Sequence, residues 1–373
     1  MDHEGTTPDG VTLGVEEEYL LLGADGLPVA QADAVLADAA LRPAVGDGDD
    51  LQRELLRAQV EVATPVCTTL DEVDGHLRRL RGALGAAARG RGARLVATGA
   101  APRVGGDVPV SDGRRYRGLA ELAPALVAEQ LICGMHVHVG VADRDRAVDV
   151  VNRLRADLPA LTALAANSPY WNGEDTGFAS WRTVHWSRWP VQGPPPFLGS
   201  AAHYDARVGA LLATGAVRDR KQVYWDVRLS DHLPTVEVRS FDVQLEVGDA
   251  VALAGLLRGL VATALAEGAR GRPVLDPEPD VLAASVWGAA RNSVHGNVFD
   301  VRSGTLRPGA DVVADLLDRA RPALAGAGDE THVEALLHRL VTGGTGARRQ
   351  RDHVAAHGLD ALPAFLAEQT GRG

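Results

Sequence analysis

Apolar and polar positions alternate with period two in several short stretches of the chain and recur at helical spacing in others. Residues 11–22 (VTLGVEEEYLLL) read as a strand. Thr69 with Glu72 three residues on has the form of a capping box, and Leu70, Val73, Leu77, Leu80 and Leu84 follow at helical spacing. The glycines of 90–92 end that helix, and 94–98 form a short strand. A helix is expected over 119–130, a strand over 132–141, and a helix over 144–166 interrupted at Pro159. Residues 167–200 hold four of the six tryptophans among prolines and glycines, and read as a long structured loop of the kind that often carries function. Strands are expected over 223–229 and 235–243, and Asp249 is expected to cap an apolar helix running to about Ala269. Helices at 278–290, 310–320, 330–341 and 358–369 complete the chain. Strands and helices mix without a βαβ rhythm, which predicts an α+β fold. One domain is expected over 11–370, after a flexible tail at 1–10.

Residues two apart on a strand share a face, and here that face is ionisable. His136 and His138 stand together in GMHVHVGV, opposite Met135, Val137, Val139 and Val141. Glu237 and Arg239 share a face in TVEVRSF, as do Asp226 and Arg228 just before it. Glu16 and Glu18 share a face in GVEEEYL, and Glu17 points the other way. A solvated sheet face would carry mostly Lys, Thr, Ser and Gln. Paired imidazoles between valines suit metal ligation, and clustered carboxylates repel one another unless a cation stands between them. Hard divalent ions prefer such oxygen-rich sets. The pattern predicts a sheet with helices on its apolar face and a metal site on its charged face. Glu54 and Glu61 extend the set: seven residues apart, they would share a face on a continuous helix, whereas the alternation at 59–62 favours a helix-to-strand junction.

Composition removes whole classes of function. The chain has 373 residues and a net charge of −11, which argues against a nucleic-acid or anionic-membrane partner. Of 38 basic residues only Lys221 is lysine, and it follows Arg218, Asp219 and Arg220, so there is no P-loop. Cys67 and Cys133 form neither a CxxC nor a disulfide framework. The first ten residues lack the form of a signal peptide, and no run of about 18 apolar residues is present, which predicts a cytoplasmic protein. Self-association is left open.

The ordered set of segments resembles the glutamate–cysteine ligase type 2, or ATP-dependent carboxylate–amine ligase, family of the glutamine synthetase-like superfamily. The matching segments are TLGVEEEYLL, the Glu54/Glu61 pair ending in ATP, CGMHVHVG, LTALAANSPYWNG, FASWR, LPTVEVRSFDVQ and GTGARRQR, running from residue 12 to residue 351. The resemblance implies an antiparallel sheet curved into a funnel with helices outside. It also implies Mg²⁺ or Mn²⁺ ions between ATP and an amino-acid carboxylate, and small-molecule substrates. Glu16, Glu18, Glu54, Glu61, His136 and Glu237 then look like metal ligands, with His138 beside them and Arg239 as a phosphate or transition-state contact. Asn167, Ser168 and Arg182 look like substrate-side residues, and Arg348 and Arg351 are candidates for the nucleotide phosphates. The implied reaction forms an amide through an acyl phosphate, with L-glutamate and L-cysteine as the leading pair, and needs no side-chain nucleophile. A metal-dependent hydrolase using the HxH pair is the alternative, and a non-catalytic ligand-binding relative is another. The hydrolase would draw on further imidazoles, yet His185, His203 and His232 fall in loop-like contexts.

Overall fold

The structure, a computed structural model, describes residues 11–38, 41, 51–106 and 108–372; the expected tail at 1–10 lies outside them. The strands in chain order are β1 (Leu13–Leu22), β2 (Leu51–Arg53), β3 (Gln59–Ala63), β4 (Arg94–Val96), β5 (Gly134–Gly140), β6 (Tyr170–Trp171), β7 (Glu174–Asp175), β8 (Val227–Leu229), β9 (Thr235–Asp242), β10 (Asn297–Asp300) and β11 (Thr305–Pro308). The helices of the first half are α1 (Ala32–Leu36), α2 (Leu70–Gly90), α3 (Arg114–Leu122), α4 (Pro124–Ala128), α5 (Arg144–Leu154), α6 (Leu158–Leu164) and α7 (Trp181–Trp186). Those of the second half are α8 (Ala201–Ala213), α9 (Val247–Ala269), α10 (Pro279–Asn292), α11 (Gly309–Ala327), α12 (Glu330–Gly343), α13 (Gly346–His357) and α14 (Leu362–Thr370).

The fold is α+β. Its main sheet is antiparallel with strand order β2–β3–β1–β5–β9–β8, and β4 pairs with the end of β1. The apolar face predicted from alternation is buried as one layer through Val15, Met135, Val137 and Val139, Val227 and Leu229, and Val236 and Val238, and Leu13 and Phe241 join it. Against it pack Val73 and Leu77 of α2, Val148 and Val151 of α5, Leu161 of α6, and the buried face of α9 from Val247 to Ala264. By length and composition α9 could cross a bilayer, but 78% of its most apolar window is buried inside the protein, under α11 and α12. It is the core helix of this layer.

Several expectations change in detail. Thr69 caps α2 through the full capping box. The helix expected over 144–166 breaks into α5 and α6 around a 3-10 turn at Arg155–Asp157, so Pro159 sits in the first turn of the second helix, where its missing N–H costs nothing. Asp249 is not the cap of α9: Glu246 holds that position, and Asp249 lies in the first turn, paired with Arg349. Glu54 and Glu61 do not share a helix, because Glu54 follows β2 and Glu61 lies on β3. Within the GTGARRQR segment, residues 346–351 form the start of helix α13.

Candidate active site

The polar face of the sheet forms the floor of a cavity of about 260 Å³. Strand register builds it in rows. Gln52, Glu61 and Glu18 stand side by side across β2, β3 and β1. Glu16 stands beside His136, and His138, Glu237 and Arg228 make a third row across β5, β9 and β8. The register between β5 and β9 shifts by one residue, so Arg239 and Ser240 together oppose His136. Such bulges re-aim side chains next to active sites. This one lets Arg239 face the cavity while Phe241 returns to the core.

The residues gathered here do not satisfy one another. Glu16 Oε2 lies 2.9 Å from His136 Nδ1, and its Oε1 lies 3.4 Å from His138 Nε2. His138 Nδ1 meets Thr235 Oγ1 at 2.9 Å. The Nε2 atoms of both histidines are buried and have no hydrogen-bond partner among the described residues. Burial works against the charge of Glu16, but its bond with His136 and the close approach of His138 hold its carboxyl well below the usual range. Burial and the nearby Arg239 push His136 down to about 4, leaving a neutral imidazole. Burial and the carboxylate of Glu54 push Glu18 up to about 7, although Glu18 accepts a bond of 2.6 Å from the Gly134 N–H. Glu61 is raised well above the usual range by burial and then by Glu54, Glu16 and Glu18. Glu237 is the opposite case. Burial resists its charge, but Arg239 and Arg228 hold it well below the carboxylate range, Arg228 at 2.8 and 3.1 Å.

Two sets of ligand atoms lie close enough to share a cation: Glu16, Glu61 and His136, and Glu16, His138 and Glu237. Mutually repelling carboxylates, neutral imidazole and orphaned Nε2 atoms fit a hard divalent ion. Glu18 and Glu54 line the same cavity beside these sets. Of the other histidines, His232 stands at the cavity rim, whereas His185 and His203 do not line it. The HxH pair is thus joined by carboxylates rather than by more imidazoles, contrary to what the hydrolase alternative needs.

The remaining site candidates divide. Arg239 and Arg182 line the cavity. Asn167 and Ser168 do not: both are fully buried, Asn167 bonding the Ala97 and Val243 carbonyls and Ser168 the Asp242 carboxylate. Arg348 and Arg351 also stand away from the cavity, because α13 carries them toward other partners: Arg351 forks onto Asp175 at 2.6 and 2.7 Å, and Arg348 meets Asp352. The sequence reading missed Arg228 as a site residue, although its shared face with Asp226 was a usable signal. It also missed an aromatic wall of the cavity, with Tyr116, Trp186, Trp189 and Tyr224 among the lining residues. Trp186 and Tyr224 are in ring contact at 4.6 Å. Nothing in the periodicity of the Trp-rich segment announced that wall.

Comparisons agree with this architecture. Residues 12–364 match the model of glutamate–cysteine ligase family 2. A protein of Saccharopolyspora erythraea provisionally named glutamate–cysteine ligase 2-1 is 46% identical over 350 residues, covering 93% of this chain and 91% of its own length. One of Mycolicibacterium vanbaalenii, provisionally named glutamate–cysteine ligase 2-2, is 48% identical over 342 residues, covering 91% and 92%. Among solved structures, a glutamate–cysteine ligase of Francisella tularensis in complex with AMP superposes with a TM-score of 0.74 at 13% identity, covering 98% of this chain and 89% of that one. At that identity the likeness is one of fold.

Proposed function

The chain belongs to glutamate–cysteine ligase family 2 and is an ATP-dependent ligase that joins a carboxylate to an amine, and from that premise we propose how its cavity does so and on what. The donor is an amino-acid carboxylate, with L-glutamate and L-cysteine the leading pair from the names of its relatives. The reaction takes place in one catalytic domain over 11–370, in the cytoplasm. The observation that carries the reading is the convergence of Glu16, Glu18, Glu61, His136 and Glu237 with two arginines on one sheet face. A carboxylate is a poor electrophile. Its oxygen attacks the γ-phosphorus of ATP and ADP leaves. The amine nitrogen then attacks the acyl carbon of the resulting acyl phosphate, phosphate leaves and the ammonium proton is lost. This needs positioning and charge neutralisation more than a side-chain nucleophile.

Glu16, Glu18, Glu54, Glu61, His136, His138 and Glu237 would hold Mg²⁺ or Mn²⁺ ions, which supply Lewis-acid stabilisation of phosphate oxygens when bound. Arg239, clamped to Glu237, presents a fixed positive charge at the edge of that set and would meet the phosphoryl group in transfer. Arg228 braces Glu237 from the other side through two bonds, and is itself held by two more to the Lys221 and Val223 carbonyls. Neutral His136 would offer its orphaned Nε2 atom without first losing a proton, whereas His138, raised by its contact with Glu16, would give up a proton on binding.

ADP release measured with ATP, Mg²⁺ and a panel of amino acids tests the reading. Release that requires both an amino-acid carboxylate and an amine is expected. Metal-dependent hydrolysis without ATP would replace the ligase reading with the hydrolase.

A further inference from the structure

Arg182 is an unusual cation. Its residue is only 4% exposed, its guanidinium lines the cavity, and no acidic group stands within ion-pairing distance among the described residues. Its Nη2 donates to the Arg239 carbonyl at 3.3 Å, and its buried Nε has no partner. A guanidinium that is desolvated, unpaired and open on one side has one natural complement, an oxyanion that it can engage through two N–H groups.

What holds it there lies behind the cavity. Asp242, at the end of β9, is 1% exposed and accepts three hydrogen bonds: from the Asn167 N–H at 2.8 Å, from Ser168 Oγ at 2.7 Å and from Ser180 Oγ at 2.8 Å. Each serine in turn holds the start of α7. Ser168 Oγ accepts the Arg182 N–H at 3.0 Å, and Ser180 Oγ accepts the Thr183 N–H at 3.3 Å. The β9 bulge beside Arg239 is what turns Asp242 to this side of the sheet. Two glycines make room. A Cβ at Gly99 would lie 2.6 Å from Asp242 Cγ, and one at Gly134 would lie 2.3 Å from Arg182 Nη2. Asn167 and Ser168, expected on the substrate side, therefore reach the cavity only through this network.

We infer that Asp242 is a positioning residue that, through Ser168 and Ser180, fixes the first turn of α7 so that Arg182 stands ready to receive an oxyanion of a substrate. The inference rests on the ligase reading for the identity of the ligands, which offer two sources of that chemistry: the carboxylate of the amino acid and the phosphates of ATP.

Trp186 and Trp189 line the same cavity, so tryptophan fluorescence reports binding without requiring turnover. The wild type, Asp242→Asn, Ser168→Ala, Arg182→Ala and the Asp242→Asn/Arg182→Ala double variant are titrated separately with L-glutamate and with Mg²⁺-ATP. Asp242→Asn is expected to weaken one of the two ligands about tenfold, roughly the loss of one charge-assisted hydrogen bond. Ser168→Ala should weaken the same ligand by less, and it covers the case in which Asp242→Asn does not fold. Weakening of L-glutamate assigns the carboxylate to Arg182, and weakening of ATP assigns a phosphate. The decisive comparison is the cycle: with Arg182 already removed, Asp242→Asn should cost nothing further, because a group acting through another is not additive with it. If Asp242→Asn and Ser168→Ala leave both affinities within twofold of the wild type, or if Asp242→Asn weakens binding equally with and without Arg182, the inference is overturned. Failure of the ligase reading would appear elsewhere, as wild-type protein that binds these ligands yet releases no ADP.

Discussion

Glu17 and Glu18 are neighbours on β1, and their carboxyl groups enter opposite sides of the same sheet. Glu17 turns into the helix-covered layer and is fully answered there. Arg81 of α2 forks onto it at 2.5 and 3.0 Å, Tyr19 donates to it, and Arg81 spends its other N–H groups on the Gln244 and Leu245 carbonyls. Glu18 turns into the cavity, where burial and Glu54 raise it against the pull of Arg182, Arg239 and the Gly134 N–H, with Glu61 across the strand pair. One buried charge is complete within the chain and the other is left for something the chain does not contain. The difference separates residues that keep the fold from residues that work, within one dipeptide.

The largest effect that would break this contrast lies on the closed side. Removing either member of a buried, multiply bonded pair leaves the other uncompensated, at a cost of about 3–5 kcal/mol. Glu17→Gln or Arg81→Met should lower the denaturant midpoint accordingly, while the molecules that remain folded keep their KM values. A loss of activity without a loss of stability would move Glu17 into the site.

On the open side the signs reverse. Glu61→Gln and Glu237→Gln should reduce ADP release by about 10²–10³-fold, worth roughly 3–4 kcal/mol in the transition state. Glu61→Gln should also leave the metal-free protein as stable as before or more so, since it removes a carboxyl whose charge burial and the neighbouring carboxylates oppose. Full activity in both variants would sink the metal-ligand assignment. His136→Ala should be far worse than His203→Ala, because His203 sits on α8 and its ring accepts from the Gly199 N–H, away from the cavity; equal kinetic effects would count against it.

A gentler probe is pH. Glu18 has its carboxyl raised to about 7 in the folded protein and Glu61 is raised well above its usual value, so folding favours their protonated forms. His138 is also raised, against the effect of its burial, by its close contact with Glu16 and the charge of Glu237. Groups raised on folding lose their stabilisation as pH climbs through the folded value. Between pH 6.5 and 8 these groups act in the same direction, whereas His136, lowered to about 4, is already neutral. The metal-free protein should therefore melt lower at pH 8 than at pH 6.5, and Mg²⁺ should shrink the difference by taking the place of the protons. A melting temperature that is flat across this range in chelator would mean that the carboxylates do not repel as their spacing implies.

How much of this was legible beforehand follows from the physics of each element. Period-two alternation carries its meaning locally, so the faces of Glu16, Glu18, His136, His138 and Glu237, and the exclusion of Glu17, could be read from the chain. The partner that explains Glu17 could not, because Arg81 is 64 residues away. The β9 bulge was illegible because a register shift depends on the neighbouring strand, and with it went the position of Asp242. Asn167 and Ser168 were expected beside the substrate because they sit in a matching segment. Their burial behind Arg182 is a product of tertiary packing that spacing does not encode. Glu54 was ambiguous for a similar reason: the turn after β2, rather than helical periodicity, brings it to Glu61.

The smallest expected effect concerns Arg348 and Arg351, and it sets the outer boundary of the open region. Both are arginines in a segment that matches the family, and a nucleotide phosphate would be a natural partner for either. Arg351 already has a planar, two-bond partner in Asp175 and a third bond to the Phe178 carbonyl, so its fork is closed in the way that Arg81 is closed on Glu17. The pair is half exposed, and such bridges contribute about 0–1 kcal/mol. Arg351→Ala should therefore lower the denaturant midpoint only slightly and leave the KM for ATP unchanged. Arg348→Ala, whose side chain is 56% exposed beside Asp352, should do less still. A tenfold rise in the KM for ATP in either variant would carry the nucleotide site out to α13. The division between charges that complete the fold and charges that await a substrate would then run through that helix, and would no longer follow the two faces of the sheet.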